Sequence, residues 1–465
     1  MNPTAQPQRR HPAPPEPGPL RPFQLPDLET DALSSGLRIR SMARREIPLV
    51  SGCLVLDAGE ATVADESAGL AVLTGDSLTG GTERRSAVEL AEALEGLGVN
   101  LRVSTGWDAT TVSFTALADR LDSALELLSE IIRTPTFPDD EVERVRRQRL
   151  AAIQQRRMDP GQLATDELDR VLFPQGHPYR RPLSGELESV ATLDRAAASD
   201  YAGRRYRPDR SGFVLVGDLS PAQILEKAER HLLEWSGSGE APPALPEVPL
   251  PSPRPIRLVH REGAVQSEIR VGHPGPRRGL EGEAELEVAN AILGGSFTSR
   301  LNLNLREKHG FTYGVRSNFA RRRQGGTFSV GTSVQTDVTV RALEETFFEL
   351  RRFVAKGPTD EEVAQARDYL AGVFPLRMET TAQLAARLAE LVIFELPEDY
   401  HHRYRDRIRS VDTAGVHRAA REAIEPEAAA IVVVGDADQL ESSLRDLGLG
   451  EVELVGPQAG VESEE

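Results

Sequence analysis

The segment GFVLVGDLS, Gly212 to Ser220, is a continuous apolar run closed by a Gly-Asp turn, and AIVVVGDAD, Ala430 to Asp438, answers it in the second half of the chain. Val214 pairs with Val432 at an offset of 218 residues. A second match is independent of the first: FPDDEVERVRRQRLAA at Phe137 to Ala152 has its counterpart in PTDEEVAQARDYLAG at Pro358 to Gly372, where Val142 pairs with Val363 at an offset of 221. Two matches at nearly one offset imply a duplicated unit, and a chain of 465 residues has room for two cores.

Each copy mixes periods. GLRIRSMARREIPLVSGCLVLDAG reads as two strands, SAVELAEALEGLG as a helix ended by Gly98, TTVSFTALA as a strand, and RLDSALELLSEIIRTP as a helix stopped at Pro135. The class is therefore α+β, with two homologous domains each made of a sheet and helices. Gly- and Pro-rich sequence near Ser236 to Pro255 suits an extended connection. The expected organisation is a Pro-rich disordered tail at 1–22, a first domain at 23–235, a linker at 236–255, a second domain at 256–456 and an acidic tail at 457–465.

Composition narrows the function. The chain carries 55 basic and 72 acidic side chains, net −17, interspersed along the expected helices, which argues against a nucleic-acid partner. The single cysteine, Cys53, lies in an apolar strand and reads as a small hydrophobe. No segment reaches about 18 consecutive apolar residues, and the N-terminal stretch lacks the apolar core of a secretory signal, so no membrane partner and a cytoplasmic location are expected.

The run from Glu83 to Leu150, together with HPYRRPLSGELESVATL (His177 to Leu193) and GGSFTSRLNLNLREKHGFTYGVRSNF (Gly294 to Phe319), resembles the insulinase/pitrilysin-type metallopeptidases, which include the mitochondrial processing peptidases. The resemblance implies half of a clamshell chamber built from two sheet-plus-helices domains. Active members carry H-x-x-E-H on the helix that corresponds here to AGLAVLTGDSLTGGT, Ala68 to Thr82. Histidines at i and i+4 share a helix face and bind zinc, the glutamate holds the attacking water, and a later glutamate completes the site. Anchored on Gly69-Leu70-Ala71 and Gly81-Thr82, the two histidine positions fall on Val72 and Asp76 and the glutamate on Gly75; the third ligand falls on Ala152. One carboxylate does not make a catalytic zinc site, so no metal is assigned to this chain. None of the nine histidines restores the motif elsewhere.

Arg306 and Tyr313 stand where the family places a substrate-facing Arg and Tyr seven residues apart, a pair able to hold a carbonyl and stabilise its developing charge. The alternative for Arg306 is a pair with Glu307, and for Tyr313 simple packing. In the family's two-chain members one subunit carries the zinc and the other the Arg/Tyr loop. The resemblance thus implies a non-catalytic, substrate-positioning subunit of a heterodimeric zinc endopeptidase, without independent activity, whose partner is a zinc-bearing paralogue and whose ligand is a peptide. An inert scaffold subunit of the same fold and a peptide-binding homodimer are the alternatives.

Overall fold

A computed structural model describes residue 18 and residues 21–456. Of the two expected tails, 457–465 lies outside the described residues, as does 1–22 apart from residues 18, 21 and 22.

The first six strands are β1 (Leu28–Ala32), β2 (Arg38–Ala43), β3 (Leu49–Leu56), β4 (Asn100–Thr105), β5 (Thr110–Leu117) and β6 (Ser211–Gly217). They form one sheet in the order β1-β2-β6-β3-β5-β4. The next six are β7 (Ile256–His260), β8 (Gln266–Gly275), β9 (Val315–Arg322), β10 (Gly325–Gln335), β11 (Ala430–Gly435) and β12 (Val452–Val455), in the order β12-β7-β11-β8-β10-β9. The duplication is therefore topological as well as sequential. β6 lies parallel to β2 and antiparallel to β3, and β11 lies parallel to β7 and antiparallel to β8. The copies part company at one edge, where β1 is antiparallel to β2 but β12 runs parallel to β7.

β6 and β11 are buried along their whole length, which accounts for their unbroken apolar runs. One face of the first sheet packs Leu54, Phe114 and Leu215 against the helices Leu121–Arg133 and Pro221–Leu232 of its own half. The other face, with Met42, Val55, Val214 and Val216, is covered by Leu384, Leu388, Leu391 and Val392, which belong to the Thr381–Ile393 helix of the second half. The second sheet mirrors this. Val259, Val432 and Val434 are covered by Ala164, Leu168 and Leu172 from the Pro160–Leu172 helix of the first half. Each half thus lends one helix to the other's sheet, and each loan buries side chains worth about 1.5–3 kcal/mol apiece.

The hairpin between β9 and β10 fastens the same seam. Arg323 donates to Asp57 Oδ1 at 2.6 Å and to the Ile393 carbonyl at 2.8 Å, while its backbone N–H donates to Asp108 Oδ2 at 3.1 Å. The Arg322 guanidinium lies 4.1 Å from the Tyr179 ring centroid and 5.0 Å from that of Trp107.

Between 236 and 255 no helix or strand forms. Cys53 is buried in β3, and burial pushes its thiol up to about 12, so it is not a nucleophile at neutral pH. No helix among the described residues is long and apolar enough to cross a membrane.

Candidate functional site

The segment that aligns with the metal-binding helix folds as the helix Leu70–Ser77, buried on nearly every side. Its poor helix formers have local causes. Thr74 Oγ1 donates back to the Leu70 carbonyl at 2.8 Å, a bond that satisfies a buried hydroxyl. Gly75 faces β4, where a Cβ would stand 2.4 Å from Thr105 Oγ1, so only glycine lets the helix lie this close to the strand. Gly69 takes the N-cap at φ +92°, a left-handed conformation that leaves no side chain to cap the helix. The cap comes from Glu60 instead: its Oε1 accepts from Gly69 N–H at 2.7 Å and its Oε2 from Ala71 N–H at 3.1 Å. Arg181 completes the arrangement at 3.1 Å from Oε1. Glu60 is fully buried, and burial pushes its carboxyl up to about 7 although Arg181 and the two N–H groups favour the charged form.

The three positions that align with metal ligands meet the following surroundings. Val72 is buried apolar packing. Asp76 forms an ion pair with Arg149, which projects from the facing helix Asp139–Met158. Ala152, one turn further along that helix, is exposed. A guanidinium therefore occupies the carboxylate that could have met a metal, and burial lowers the Arg149 pKa from its ordinary value. Sequence reading missed Arg149; the only hint was a run of cations, RRQR, where the helix approaches the site.

Among the described residues one other group has metal-ligand spacing: His260, Asp436 and Asp438, whose ligand atoms lie within 4.8 Å of one another. His260 Nδ1 accepts from Ala437 N–H at 3.1 Å, which leaves the proton on Nε2, so a metal would have to displace one or the other. Two further histidines make structural contacts: His401 is buried with Nε2 on the Arg387 carbonyl at 2.7 Å, and His417 Nε2 meets the Val354 carbonyl at 2.9 Å. His401 and His402 lie in the turns before the Tyr404–Ser410 helix and not on a helix face.

In the second half, Arg306 sits in the π-type helical segment Asn302–Lys308, just before β9. The loop that follows is pinned at both ends. Asn302 donates to the Val315 carbonyl at 2.9 Å and accepts from Val315 N–H at 3.1 Å, and Phe311 is buried and stacked on His309. Between these anchors Tyr313 stands in solvent, 97% exposed, so it does not pack. Arg306 lies 3.5 Å from Glu307 and, with its guanidinium 4.1 Å from the ring centroid, stacks on Phe297, itself 68% exposed. Phe297 was not singled out from sequence.

Two family models match in tandem: "Insulinase (Peptidase family M16)" over residues 42–185 and "Peptidase M16 inactive domain" over residues 192–370. The chain belongs to the insulinase family. Among curated relatives, the "Non-peptidase homolog YmxG" of Helicobacter pylori is 28% identical over 315 residues, 67% of this chain and 72% of the relative. The "Cytochrome b-c1 complex subunit 1, mitochondrial" of Bos taurus is 26% identical over 276 residues, 58% of this chain and 56% of the relative. A crystal structure described as the peptidase M16 inactive domain from Pseudomonas fluorescens superposes with a TM-score of 0.81 at 25% identity, covering 88% of this chain and 98% of that one. A Helicobacter pylori protease superposes with a TM-score of 0.83 at 17% identity, over 88% and 100% of the two chains, and so shares the fold. Within this family the present chain is an inactive homologue.

Proposed function

We propose that this chain is the non-catalytic, substrate-positioning subunit of a heterodimeric zinc endopeptidase. The observation that carries this reading is a contrast within one molecule. The helix that aligns with the metal ligands is packed shut and its carboxylate is paired with Arg149, while Tyr313 stands exposed on a braced loop that follows the helical segment carrying Arg306. A side chain as exposed as Tyr313 contributes little to its own fold, so its value lies in what it meets.

The chemistry assigned to the pair is limited and specific. The guanidinium offers planar N–H donors and the phenol one O–H donor, and together they hold a peptide carbonyl and the negative charge that develops on it. Zinc, water activation and bond cleavage belong to the partner, a paralogue with an intact H-x-x-E-H. Co-expression with such a paralogue tests the reading: the complex cleaves peptide, and Arg306→Ala and Tyr313→Phe each lower kcat/KM by roughly 10²–10³ without releasing the partner. Equal cleavage by wild type and both variants overturns it.

A scaffold role is the second reading, favoured by the likeness to the cytochrome b-c1 complex subunit. It predicts a stable place in a larger assembly and indifference to both substitutions.

A further inference from the structure

The duplication gives the closed cleft of the first half a counterpart in the second. There the Glu283–Asn290 helix, continued by the π-type segment Ala291–Gly295, follows β8 as Leu70–Ser77 follows β3, and it packs between the Asp360–Val373 helix and β9. In the first half this place is filled, by Gly75 against Thr105 and by Asp76 on Arg149. In the second it is open: a cavity of about 210 Å³ is lined by Glu287, Asn290, Asn318, Arg321, Tyr369 and Arg377 among others.

The polar groups of this cavity divide into used and unused. Glu287 is engaged: Oε1 takes Arg321 Nη2 at 3.0 Å with Arg278 Nη1 3.7 Å away, and Oε2 takes the Tyr404 hydroxyl at 2.8 Å. Its charge is already met by two guanidinium groups. Asn290 Oδ1 accepts from the Ser317 hydroxyl at 2.7 Å, which leaves its Nδ2 donor unused, turned toward Gly295, where a Cβ would come within 2.8 Å of it. Arg377 has no ion pair or hydrogen bond to its guanidinium among the described residues, nor has the half-exposed Tyr369 hydroxyl a partner. Arg377 is thus the one uncompensated charge of the lining, in a chain of net charge −17.

We propose that this cavity binds a carboxylate, presented either by a peptide's C-terminus or by an acidic side chain, with Arg377 as the ionic partner and Asn290 Nδ2 and the Tyr369 hydroxyl as further donors. Unused donors call for an acceptor, and a guanidinium with two neighbouring donors matches a carboxylate better than a neutral carbonyl. The volume is below the roughly 300–1,000 Å³ of cofactor pockets and suits a single residue or chain end. The inference stands apart from the role of Arg306 and Tyr313 and needs no partner chain.

The full chain alone is titrated, by isothermal calorimetry and saturation-transfer NMR, with N-acetyl-leucine, its amide, and N-acetyl-aspartamide with a free β-carboxyl. Saturable binding of at least one carboxylate and none of the leucinamide is expected; the tighter of the two identifies chain end or side chain as the source. Arg377→Ala weakens that binding by at least about tenfold, and Tyr369→Phe by about threefold. Arg316→Ala, an exposed cation elsewhere on β9, leaves binding unchanged. Arg377 is exposed, so its variant keeps the wild-type Tm. Equal binding of acid and amide, no binding of either acid, or undiminished binding by Arg377→Ala overturns the proposal.

Discussion

Arg149 forms an ion pair with Asp76 across two facing helices of the first half, where the sequence alignment expects a ligand helix and a third ligand to meet. The cation occupies the one carboxylate among the aligned positions. Restoring the three ligands alone, by Val72→His, Asp76→His and Ala152→Glu, is therefore expected to give substoichiometric zinc after dialysis, because a dication would share the space with Arg149. Adding Arg149→Ala raises the zinc content, measured by elemental analysis. In the otherwise native chain Arg149→Ala strands a partly buried carboxylate and costs about 1–2 kcal/mol in urea unfolding, between the values for exposed and buried pairs.

Gly75 gives a prediction of opposite sign to helix propensity. On propensity alone Gly75→Ala stabilises the helix by about 1 kcal/mol. The new Cβ, however, meets Thr105 Oγ1, which is hydrogen-bonded to Thr110 Oγ1 at 2.9 Å and cannot turn away without breaking that bond. Gly75→Ala is expected to be destabilising by about 1–2 kcal/mol. In the Thr105→Ala background the same substitution becomes neutral or stabilising, a non-additivity that a double-mutant cycle of urea midpoints detects.

Glu60 makes stability fall as pH rises. Its folded carboxyl titrates at about 7 against an ordinary 4.5, so between these values the unfolded chain has released a proton that the folded chain retains. The folded state then binds more protons, and unfolding free energy declines through this window, by an amount on the order of 3 kcal/mol. Below about 4.5 the contribution is fully present; above about 7 it is lost. Urea unfolding at intervals from pH 5 to 8 checks this: in Glu60→Gln the decline is shallower, whatever the level of stability after the N-terminal cap of the Leu70–Ser77 helix is altered.

The exchanged helices couple the halves. Leu388 belongs to the second half of the chain but is buried on the first sheet. Leu388→Ala is expected to cost about 2–5 kcal/mol. The loss registers as faster amide exchange in β3 and β6, with a single unfolding transition retained.

Much of this was legible in sequence because duplication writes itself twice. The apolar runs of β6 and β11, the Ser86 capping box that opens the Ala87–Gly96 helix and the left-handed Gly98 after it are local signals, and each forms as its residues dictate. The absence of an H-x-x-E-H motif was legible too, since a missing histidine needs no coordinates. What stayed hidden was pairwise and distant. Arg149 meets Asp76 across 73 residues, and Arg181 meets Glu60 across 121. The apolar face of Pro160–Leu172 gives no sign that it covers the other half's sheet, because amphipathicity specifies burial and not the partner. β1 was missed for a related reason: its LETDA sequence is mostly exposed, and pairing to β2 holds it in place.

The helix loan explains why a half without its chemistry persists in full. Were the first half trimmed away, β7 and β11 would turn Val259, Val432 and Val434 to water; were the second trimmed, Val214 and Val216 would be bared. The two copies are mutual lids. The service the first half renders its neighbour is performed by the Pro160–Leu172 helix on the second sheet, and Val72 and Ala152 take no part in it.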